Sequence, residues 1–341
     1  MTKYKYSKSS NFYLETKKDF FSKNSELLNR VKNYNDIYSS QPFRKLCKLC
    51  KTKLLQQGDF TSHGVDYKFC PNCFHLNGNF EETEEFIKNL YLLDGTEYSS
   101  NYIDENFLKR AKDIHTPKLN FLLENIELKN KQLLDIGCGS GYFVYSSIAA
   151  GYKANGIDVN TAMIEFGNNQ IFNETRQKPL IHVKEEDFYD YISNTKADVI
   201  SAIGVIEHLR ELDLFFESFK ESKASYLLYS VPMFSFSSII ESILEDVFPR
   251  QLGGAHTHLF TESSIEQMHK ILGVNTTAEW RFGTDIMDLY RSVRTLLTKK
   301  KASETVADMF YEGFFKELDR LQSVLDENHF CSEIHCVVSK K

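Results

Sequence analysis

Four cysteines, arranged as two pairs, are the clearest candidates for metal chemistry in this sequence. The first pair is Cys47 and Cys50, and the second pair, Cys70 and Cys73, follows after nineteen intervening residues. Two Cys-x-x-Cys pairs at this distance are typical of a structural zinc site, in which four thiolates surround the ion. Because such a site has no open coordination position, the sequence predicts a structural zinc ion and not a catalytic one.

A glycine-rich segment, LLDIGCGSGYF at residues 133–143, is the second candidate. An acidic residue, Asp135, precedes three glycines in this segment. Glycines let a backbone approach a ligand closely, and the series G-x-G-x-x-G would indicate a dinucleotide. Here the spacing differs, and Asp135 would repel a pyrophosphate. The segment therefore predicts a ligand that carries an ammonium group and no phosphate, bound by Asp135, Gly137, Gly139 and Gly141.

Two further acidic positions follow at the ends of apolar runs. Asp158 comes twenty-one residues after Gly137 and closes the sequence GID, where a carboxylate can accept hydrogen bonds from both hydroxyls of a ribose. Asp187 and Phe188 lie in the sequence EDF at the end of the next run. An aspartate there can bond an adenine amino group, and the phenylalanine can cover the ring. These positions predict a nucleoside beside the ammonium-bearing part of the ligand.

Taken together, these segments resemble the class I S-adenosylmethionine-dependent methyltransferases. The resemblance covers about residues 95–282 and includes DIGCGSG, GID, EDF and AIGVIEHL at residues 202–209. It implies that Asp135 and the glycines hold the methionine part of S-adenosylmethionine, that Asp158 holds the ribose, and that Asp187 and Phe188 contact adenine. By the same resemblance the expected cofactor contacts extend to Gly204, Tyr98 and Tyr102; similar tyrosine pairs close over the cofactor in related enzymes.

Three histidines and a glutamate are the candidate catalytic residues. Transfer of a methyl group to a hydroxyl needs alignment of the two reactants and a group that takes the proton. Glu207 and His208 follow the fourth run, and His256 and His258 lie beyond the fifth, where an extended backbone would point both imidazoles to one face. The alternative for the first pair is a structural role in this loop. The alternatives for the second pair are packing against the sheet and half of a metal site, for which the sequence shows no other clustered ligands. In quinone-pathway O-methyltransferases a further glutamate helps bind a metal, and Gly204 at that position argues against a catalytic metal here.

Alternating strands and helices must position these residues. Short apolar runs separated by helical segments begin after Thr116 and predict a parallel sheet covered by helices. We therefore expect an α/β fold with a Rossmann-like, seven-stranded methyltransferase sheet, a small N-terminal zinc-ribbon module and a helical insertion near the C-terminus, at about 284–330. This insertion forms either a lid over the substrate or a dimer surface. The predicted strands are 132–136, 153–157, 180–183, 198–203, 225–231, 277–282 and 333–338.

Four regions follow from these patterns. Residues 1–42 are predicted to form an arm or helix, residues 43–80 the zinc-binding module, residues 81–115 a linker and cofactor-capping segment, and residues 116–341 the methyltransferase domain. The net charge of −6 argues against a surface that coats nucleic acid or an anionic membrane. Because the chain has neither a secretory start nor a run of about 18 apolar residues, we expect a cytoplasmic protein without membrane insertion.

The acceptor is suggested by a second resemblance. A four-cysteine module in front of such a domain is similar to bacterial sugar methyltransferases and to zinc-bearing ribosomal RNA guanine methyltransferases. The acidic pI of about 6.0 and the lack of a Lys/Arg-rich stripe favour the first group, and GGAHTHLF at residues 253–260 looks like methyltransferases of surface-polysaccharide clusters. We therefore expect O-methylation of a sugar or nucleotide-activated sugar in surface glycan biosynthesis, assisted by a histidine. The alternatives are an RNA base methyltransferase and a non-catalytic zinc-ribbon interaction protein.

Overall fold

A computed structural model describes residues 2–10, 19–87, 106–128, 132–253 and 256–341. Twelve strands are assigned within these ranges, and they form one sheet of eight strands and one of four. In chain order they are β1 (Lys3–Tyr6), β2 (Phe60–Ser62), β3 (Val65–Phe69), β4 (Leu76–Gly78), β5 (Gln132–Ile136), β6 (Lys153–Asp158), β7 (Leu180–His182), β8 (Val199–Ile203), β9 (Tyr226–Pro232), β10 (His258–Leu259), β11 (Val274–Phe282) and β12 (Glu333–Lys340).

Helices lie between most of these strands. A π-helical turn, Ala111–His115, joins α3 to α4, and a 3-10 turn, Ile206–His208, follows β8. The α-helices are α1 (Asp19–Ser22), α2 (Asn24–Ser39), α3 (Phe107–Arg110), α4 (Thr116–Leu123), α5 (Tyr142–Ala149), α6 (Thr161–Thr175), α7 (Phe188–Ser193), α8 (Leu212–Glu221), α9 (Phe236–Ile243), α10 (Glu262–Leu272), α11 (Asp285–Lys299), α12 (Glu304–Phe314) and α13 (Leu318–Glu327).

The large sheet has the strand order β1-β11-β12-β9-β8-β5-β6-β7. Strands β5 to β9 run parallel, and β12 runs antiparallel to its neighbours β9 and β11. The chain moves outward from β5 through β6 and β7, then returns to the other side of β5 with β8. This reversal opens a crevice at the carboxyl ends of β5 and β8, where such sheets bind ligands. The predicted α/β, Rossmann-like architecture is confirmed.

The predicted number of strands is wrong by one. An eighth strand, β1, pairs in parallel with β11 from Lys3 opposite Ala278 to Tyr6 opposite Arg281. These residues lie in the predicted arm or helix at residues 1–42, and their short, mixed polar and aromatic segment carries no strand periodicity. An edge strand needs only one neighbour and few apolar contacts, so its sequence signal is weak. Within the predicted arm or helix at residues 1–42, α2 spans Asn24–Ser39.

Two apolar layers cover the faces of the large sheet. Alternate residues of β5 serve both layers: Leu134 and Ile136 pack with α8, and Leu133 packs on the opposite face with α4 and α5. This alternation follows from the two-residue period of a strand. Because the core holds β5 from both sides, the loop that leaves its carboxyl end starts from a rigid position.

The cysteine module is continuous with the main domain. Its small sheet has the order β10-β4-β3-β2, and β10 comes from the chain beyond β9. Three of its cysteines, Cys47, Cys70 and Cys73, are buried in the same apolar cluster as residues of α8. Helix α2 adds Tyr38, which packs with Leu76 of β4. The module therefore shares both a sheet and a core with the domain that follows it.

Three helices, α11 to α13, occupy the chain between β11 and β12. The buried carboxylate of Asp285, the first residue of α11, accepts hydrogen bonds from Ser235, Ser237, Gln322 and Ser332. These bonds connect α11 to α9, α13 and the start of β12.

Among the described residues, no helix combines the length and the apolar character that crossing a membrane requires.

Candidate functional site

The loop after β5 has a conformation that requires glycine. Gly137 and Gly141 have φ angles of +58° and +74°, and a Cβ atom at these positions would lie 2.7 Å from Val205 Cγ2 and 2.6 Å from Leu180 Cδ1. Gly139, with φ of +52°, is less crowded, because a Cβ there would lie 3.5 Å from Met163 Sδ, which is an ordinary van der Waals distance. The loop is thus held by close packing at both ends, and its middle exposes backbone to the crevice.

Asp135 lies at the base of this loop and is 5% exposed. The Ser201 hydroxyl donates a 2.6 Å hydrogen bond to its carboxylate. Burial raises the pKa of Asp135 to about 7, although the Ser201 bond and the Lys118 ammonium oppose this shift. A cationic group placed against Asp135 would favour the ionised carboxylate, so the site is suited to an ammonium-bearing ligand.

Asp158 ends β6 and faces the same loop. One carboxylate oxygen accepts the Gly139 N–H at 2.8 Å, and the other accepts the Asn160 N–H at 2.8 Å. Burial raises the pKa of Asp158 against these two bonds. A carboxylate has about four acceptor sites, so both oxygens keep lone pairs for hydroxyl groups. The glycine loop and the predicted ribose acceptor are therefore in direct contact.

The other predicted cofactor residues lie in different surroundings. Asp187 is exposed at the end of a 3-10 turn, whereas Phe188 is buried in the main apolar cluster. Gly204 has φ of +67° and donates its N–H to the Ser230 hydroxyl at 2.9 Å. The predicted contacts Tyr98 and Tyr102 lie outside the described residues.

Glu207, His208 and His256 come together at the carboxyl end of β8. Each offers one potential ligand atom, and these three atoms lie within 4.8 Å of one another. The rings of His208 and His256 have centroids 5.3 Å apart. Burial raises the pKa of Glu207 to about 8 and lowers that of His256 to about 3. The structure therefore unites three of the four predicted catalytic residues, although His256 is 48 positions beyond His208 in the sequence.

His258 is directed elsewhere, which corrects the prediction that both imidazoles share one face. Its Nδ1 lies 2.9 Å from Nε2 of His75, and both rings are fully buried. The chain bends at Thr257, whose carbonyl accepts the Gly78 N–H at 2.7 Å. This bend breaks the two-residue alternation on which the prediction depended, so His258 joins the cysteine module and His256 joins Glu207.

The four predicted zinc ligands form a compact group. Their sulfurs all lie within 4.8 Å of one another, with Cys47 3.7 Å from Cys73 and Cys50 3.5 Å from Cys70. A tetrahedron with Zn–S bonds of about 2.3 Å has edges of roughly 3.8 Å, so these positions fit zinc. The hydrogen bond between Cys73 and Cys47 lowers the pKa of Cys47 and raises that of Cys73, and burial raises the pKa of Cys70. A bound metal ion would take the place of the protons on these sulfurs.

The surroundings of the cysteines also fit a metal site. Each Cys-x-x-Cys turn is followed by a residue with positive φ, Lys51 at 58° and Phe74 at 55°. The side-chain amides of Asn77 and Asn72 lie 3.7 Å from the sulfurs of Cys47 and Cys50, which they can stabilise as donors. Such outer hydrogen bonds orient metal ligands.

Sequence reasoning missed a group of buried charges beside the site. Glu333 begins β12 opposite Pro232, at the carboxyl end of β9, and accepts a 2.8 Å hydrogen bond from His335. Burial opposes its ionisation, but His335 and the Lys118 and Lys8 ammonium groups lower the pKa of Glu333 to about 2. Burial lowers the pKa of Lys118 to about 8. These residues are far apart in the sequence, and no motif connects them.

Comparison with known families gives one match along the chain. A family model described as "Methyltransferase domain" matches residues 107–279, half of the chain. A crystal structure of magnesium protoporphyrin IX methyltransferase from Synechocystis PCC 6803 with bound SAH aligns with a TM-score of 0.48 and 12% identity, over 76% of this chain and 100% of that chain.

Curated relatives act on different kinds of molecule. The release factor glutamine methyltransferase of Clostridium botulinum is 28% identical over 57% of this chain and 62% of its own length. A ubiquinone biosynthesis O-methyltransferase of Aromatoleum aromaticum is 27% identical over 30% of this chain and 43% of its own length. The tRNA U34 carboxymethyltransferase of Nautilia profundicola is 34% identical over 27% of this chain and 30% of its own length. The chain thus spans less than two thirds of the length of each of these relatives.

Proposed function

The chain belongs to the methyltransferase domain family, and on this premise we propose that it transfers a methyl group from S-adenosylmethionine to a hydroxyl group of a sugar or nucleotide-activated sugar. One observation carries the choice of cofactor: the buried carboxylate of Asp135 and the half-buried carboxylate of Asp158 flank a glycine loop at adjacent strand ends. A cofactor with an ammonium group and a ribose, and without phosphate, matches both. S-adenosylmethionine would supply a methyl group on a sulfonium sulfur. An acceptor oxygen would attack the methyl carbon as the carbon–sulfur bond breaks, and His208 or His256 would take the hydroxyl proton.

In this proposal, different residues along the crevice bind different parts of the cofactor. Asp135 binds the ammonium group of the methionine part, Asp158 binds the ribose hydroxyls, and exposed Asp187 is available for the adenine amino group. The glycine loop approaches the cofactor through the backbone of Gly139, where no side chain intervenes. These contacts fix the direction in which the sulfonium methyl group points, and alignment of the reactants can lower the barrier to such a displacement by about 7–11 kcal/mol at best.

The acceptor belongs on the β8 side of the loop. Strand β8 is the neighbour of β5, so Glu207, His208 and His256 lie next to the position of the methyl group. Carboxyl and imidazole groups can hydrogen-bond neighbouring hydroxyls, which suits a sugar. The net charge of −6 weighs against a phosphate-rich polymer as acceptor. His258 serves a different purpose here: it fixes the segment that carries His256 to the cysteine module.

Label transfer tests the acceptor. The zinc-loaded protein and its Asp158→Ala variant are incubated with methyl-labelled S-adenosylmethionine and an extract of the source organism, which is then separated into sugar-nucleotide, polysaccharide, RNA and protein fractions. We expect label in the sugar-nucleotide or polysaccharide fraction, and none with the variant. Label in RNA or protein would contradict a sugar acceptor, but it would still support methyl transfer by this protein. Label in no fraction would favour a non-catalytic interaction protein.

A further inference from the structure

We propose that Glu207, His208 and His256 bind a divalent transition-metal ion, at a site separate from the four cysteines. Gly204 lies three positions before Glu207, where quinone-pathway O-methyltransferases have a metal-binding glutamate, and on that ground alone no such ion is expected. The structure provides a different third ligand, His256, from the segment beyond β9. The proposal goes beyond methyl transfer itself and adds an acceptor-side metal to the proposed function.

The positions of the donor atoms fit an ion with a small adjustment. An ion about 2.1 Å from each nitrogen and oxygen holds its donors roughly 3.0–3.4 Å apart. The three candidate atoms are already within 4.8 Å of one another, so modest side-chain rotations would bring them into contact with one ion. Glu207 and His208 follow β8 of the large sheet, and His256 lies two residues before β10 of the small sheet, so strands hold the backbone beside each ligand.

This group contains a buried carboxylate oxygen that has no hydrogen-bond partner among the described residues. Glu207 is 6% exposed, and its Oε2 has no hydrogen-bond partner among the described residues. A buried carboxylate oxygen without a partner costs free energy that a bound cation would recover. A Cβ atom at Gly204 would lie 3.8 Å from the other oxygen, Oε1. The glycine therefore leaves room beside the carboxylate, where a longer side chain would crowd it.

His256 is oriented as metal-binding histidines are. Its Nδ1 lies 3.2 Å from the Gln251 carbonyl oxygen, to which it can donate a hydrogen bond while Nε2 keeps its lone pair. The segment that carries this carbonyl is itself fixed, because the buried carboxylate of Glu241 accepts the backbone N–H groups of residues 250–252. A second hydrogen bond of this kind sets the tautomer and the ring direction of a metal-ligating histidine.

The ligand set indicates the kind of ion and its use. Two imidazoles and one carboxylate are typical ligands of zinc and other divalent first-row ions, and three protein ligands leave coordination positions open. The cysteine site has four soft sulfur ligands and no open position. An open position next to the methyl donor can accept an oxygen of the acceptor and orient it. This use of the ion depends on the proposed function, whereas its binding does not.

Cobalt(II) titration tests the binding. Protein whose zinc content is one ion per chain is titrated with Co²⁺ and followed by calorimetry and visible absorption. The variants are Glu207→Gln and His256→Gln, and Glu217→Gln on α8 is the matched control, because it removes an exposed carboxylate. Circular dichroism and zinc content verify the fold of each variant.

We expect the wild type and Glu217→Gln to bind one Co²⁺ with no sulfur-to-cobalt charge-transfer band and no release of zinc. Glu207→Gln and His256→Gln should each bind at least tenfold more weakly. Absence of binding in the wild type, equal binding in all variants, or cobalt uptake that releases zinc and gives a thiolate band would each overturn the proposal. Calorimetry with S-adenosylmethionine on the same protein tests the proposed methyltransferase function separately from the metal site. Cofactor binding without cobalt binding would contradict only the metal site.

Discussion

Replacement of Asp135 by asparagine separates the cost of burying this carboxylate from its use in binding. Asparagine has nearly the same shape, and its oxygen can still accept the 2.6 Å hydrogen bond from Ser201. The substitution therefore removes the charge and leaves the packing of β5 in place. We expect the protein without cofactor to become more stable and its affinity for S-adenosylmethionine to fall.

The magnitude follows from the pKa of this group. Burial moves the pKa of Asp135 from 3.8 to about 7. The native protein thus binds more protons than the unfolded chain between these values, and its free energy of unfolding decreases as pH rises through this range. At about 1.36 kcal/mol per pH unit, the ionised carboxylate costs roughly 4 kcal/mol above pH 7. Asp135→Asn removes this cost, so its stabilising effect should be near zero at about pH 4 and largest above about pH 7.

Urea unfolding of both proteins at a series of pH values measures this difference, and calorimetry at pH 8 measures the affinity for S-adenosylmethionine. We expect the stability gain to increase with pH while cofactor affinity drops at least tenfold, since an ammonium group loses its charged partner. For the wild type, affinity should rise with pH through about 7, as Asp135 ionises. A variant that is destabilised at every pH, or that binds the cofactor as tightly as the wild type, would refute this account of Asp135.

Three other substitutions test the fold around the site. Cys70→Ser should remove zinc and lower the stability of the whole chain by several kcal/mol, because the cysteines share the main core; separate unfolding of the module, seen as two transitions in calorimetry, would contradict this. Gly137→Ala should cost about 1–3 kcal/mol in urea unfolding, since its Cβ would lie 2.7 Å from Val205 Cγ2 at a φ of +58°; wild-type stability would contradict it. His258→Ala should cost about 2–4 kcal/mol, because it leaves a cavity and removes the partner of His75; unchanged stability with reduced turnover would instead favour a direct catalytic role.

Local sequence patterns predicted the elements that the core requires. The apolar run at Gln132–Ile136 is a strand with the predicted bounds, because both faces of β5 are buried and every residue contributes to the signal. The loop after it was predictable for a related reason, since its three glycines have positive φ angles, which glycine adopts without steric cost. Strand β1 was missed because an edge strand with polar residues has no such signal.

The features that the sequence did not predict depend on contacts between segments that are far apart in the chain. The bend at Thr257 depends on Gly78 of the cysteine module, so the divergence of His256 and His258 could not be read from residues 256–258 alone. Glu333, His335 and Lys118 meet only because β12 lies beside β9, and their separation in the chain hides this proximity. The cluster with Glu207 likewise depends on where the segment after β9 returns to the sheet.

The central claim is that the glycine loop and Asp158 bind S-adenosylmethionine. Calorimetric titration of the zinc-loaded wild type with S-adenosylmethionine and with NAD, repeated on Asp158→Ala, tests it most directly. We predict one S-adenosylmethionine bound per chain, no binding of NAD, and loss of at least tenfold in affinity in the variant, because the two ribose hydroxyls lose a charged acceptor. Absence of binding to S-adenosylmethionine by the wild type, or tighter binding of NAD, would contradict the account.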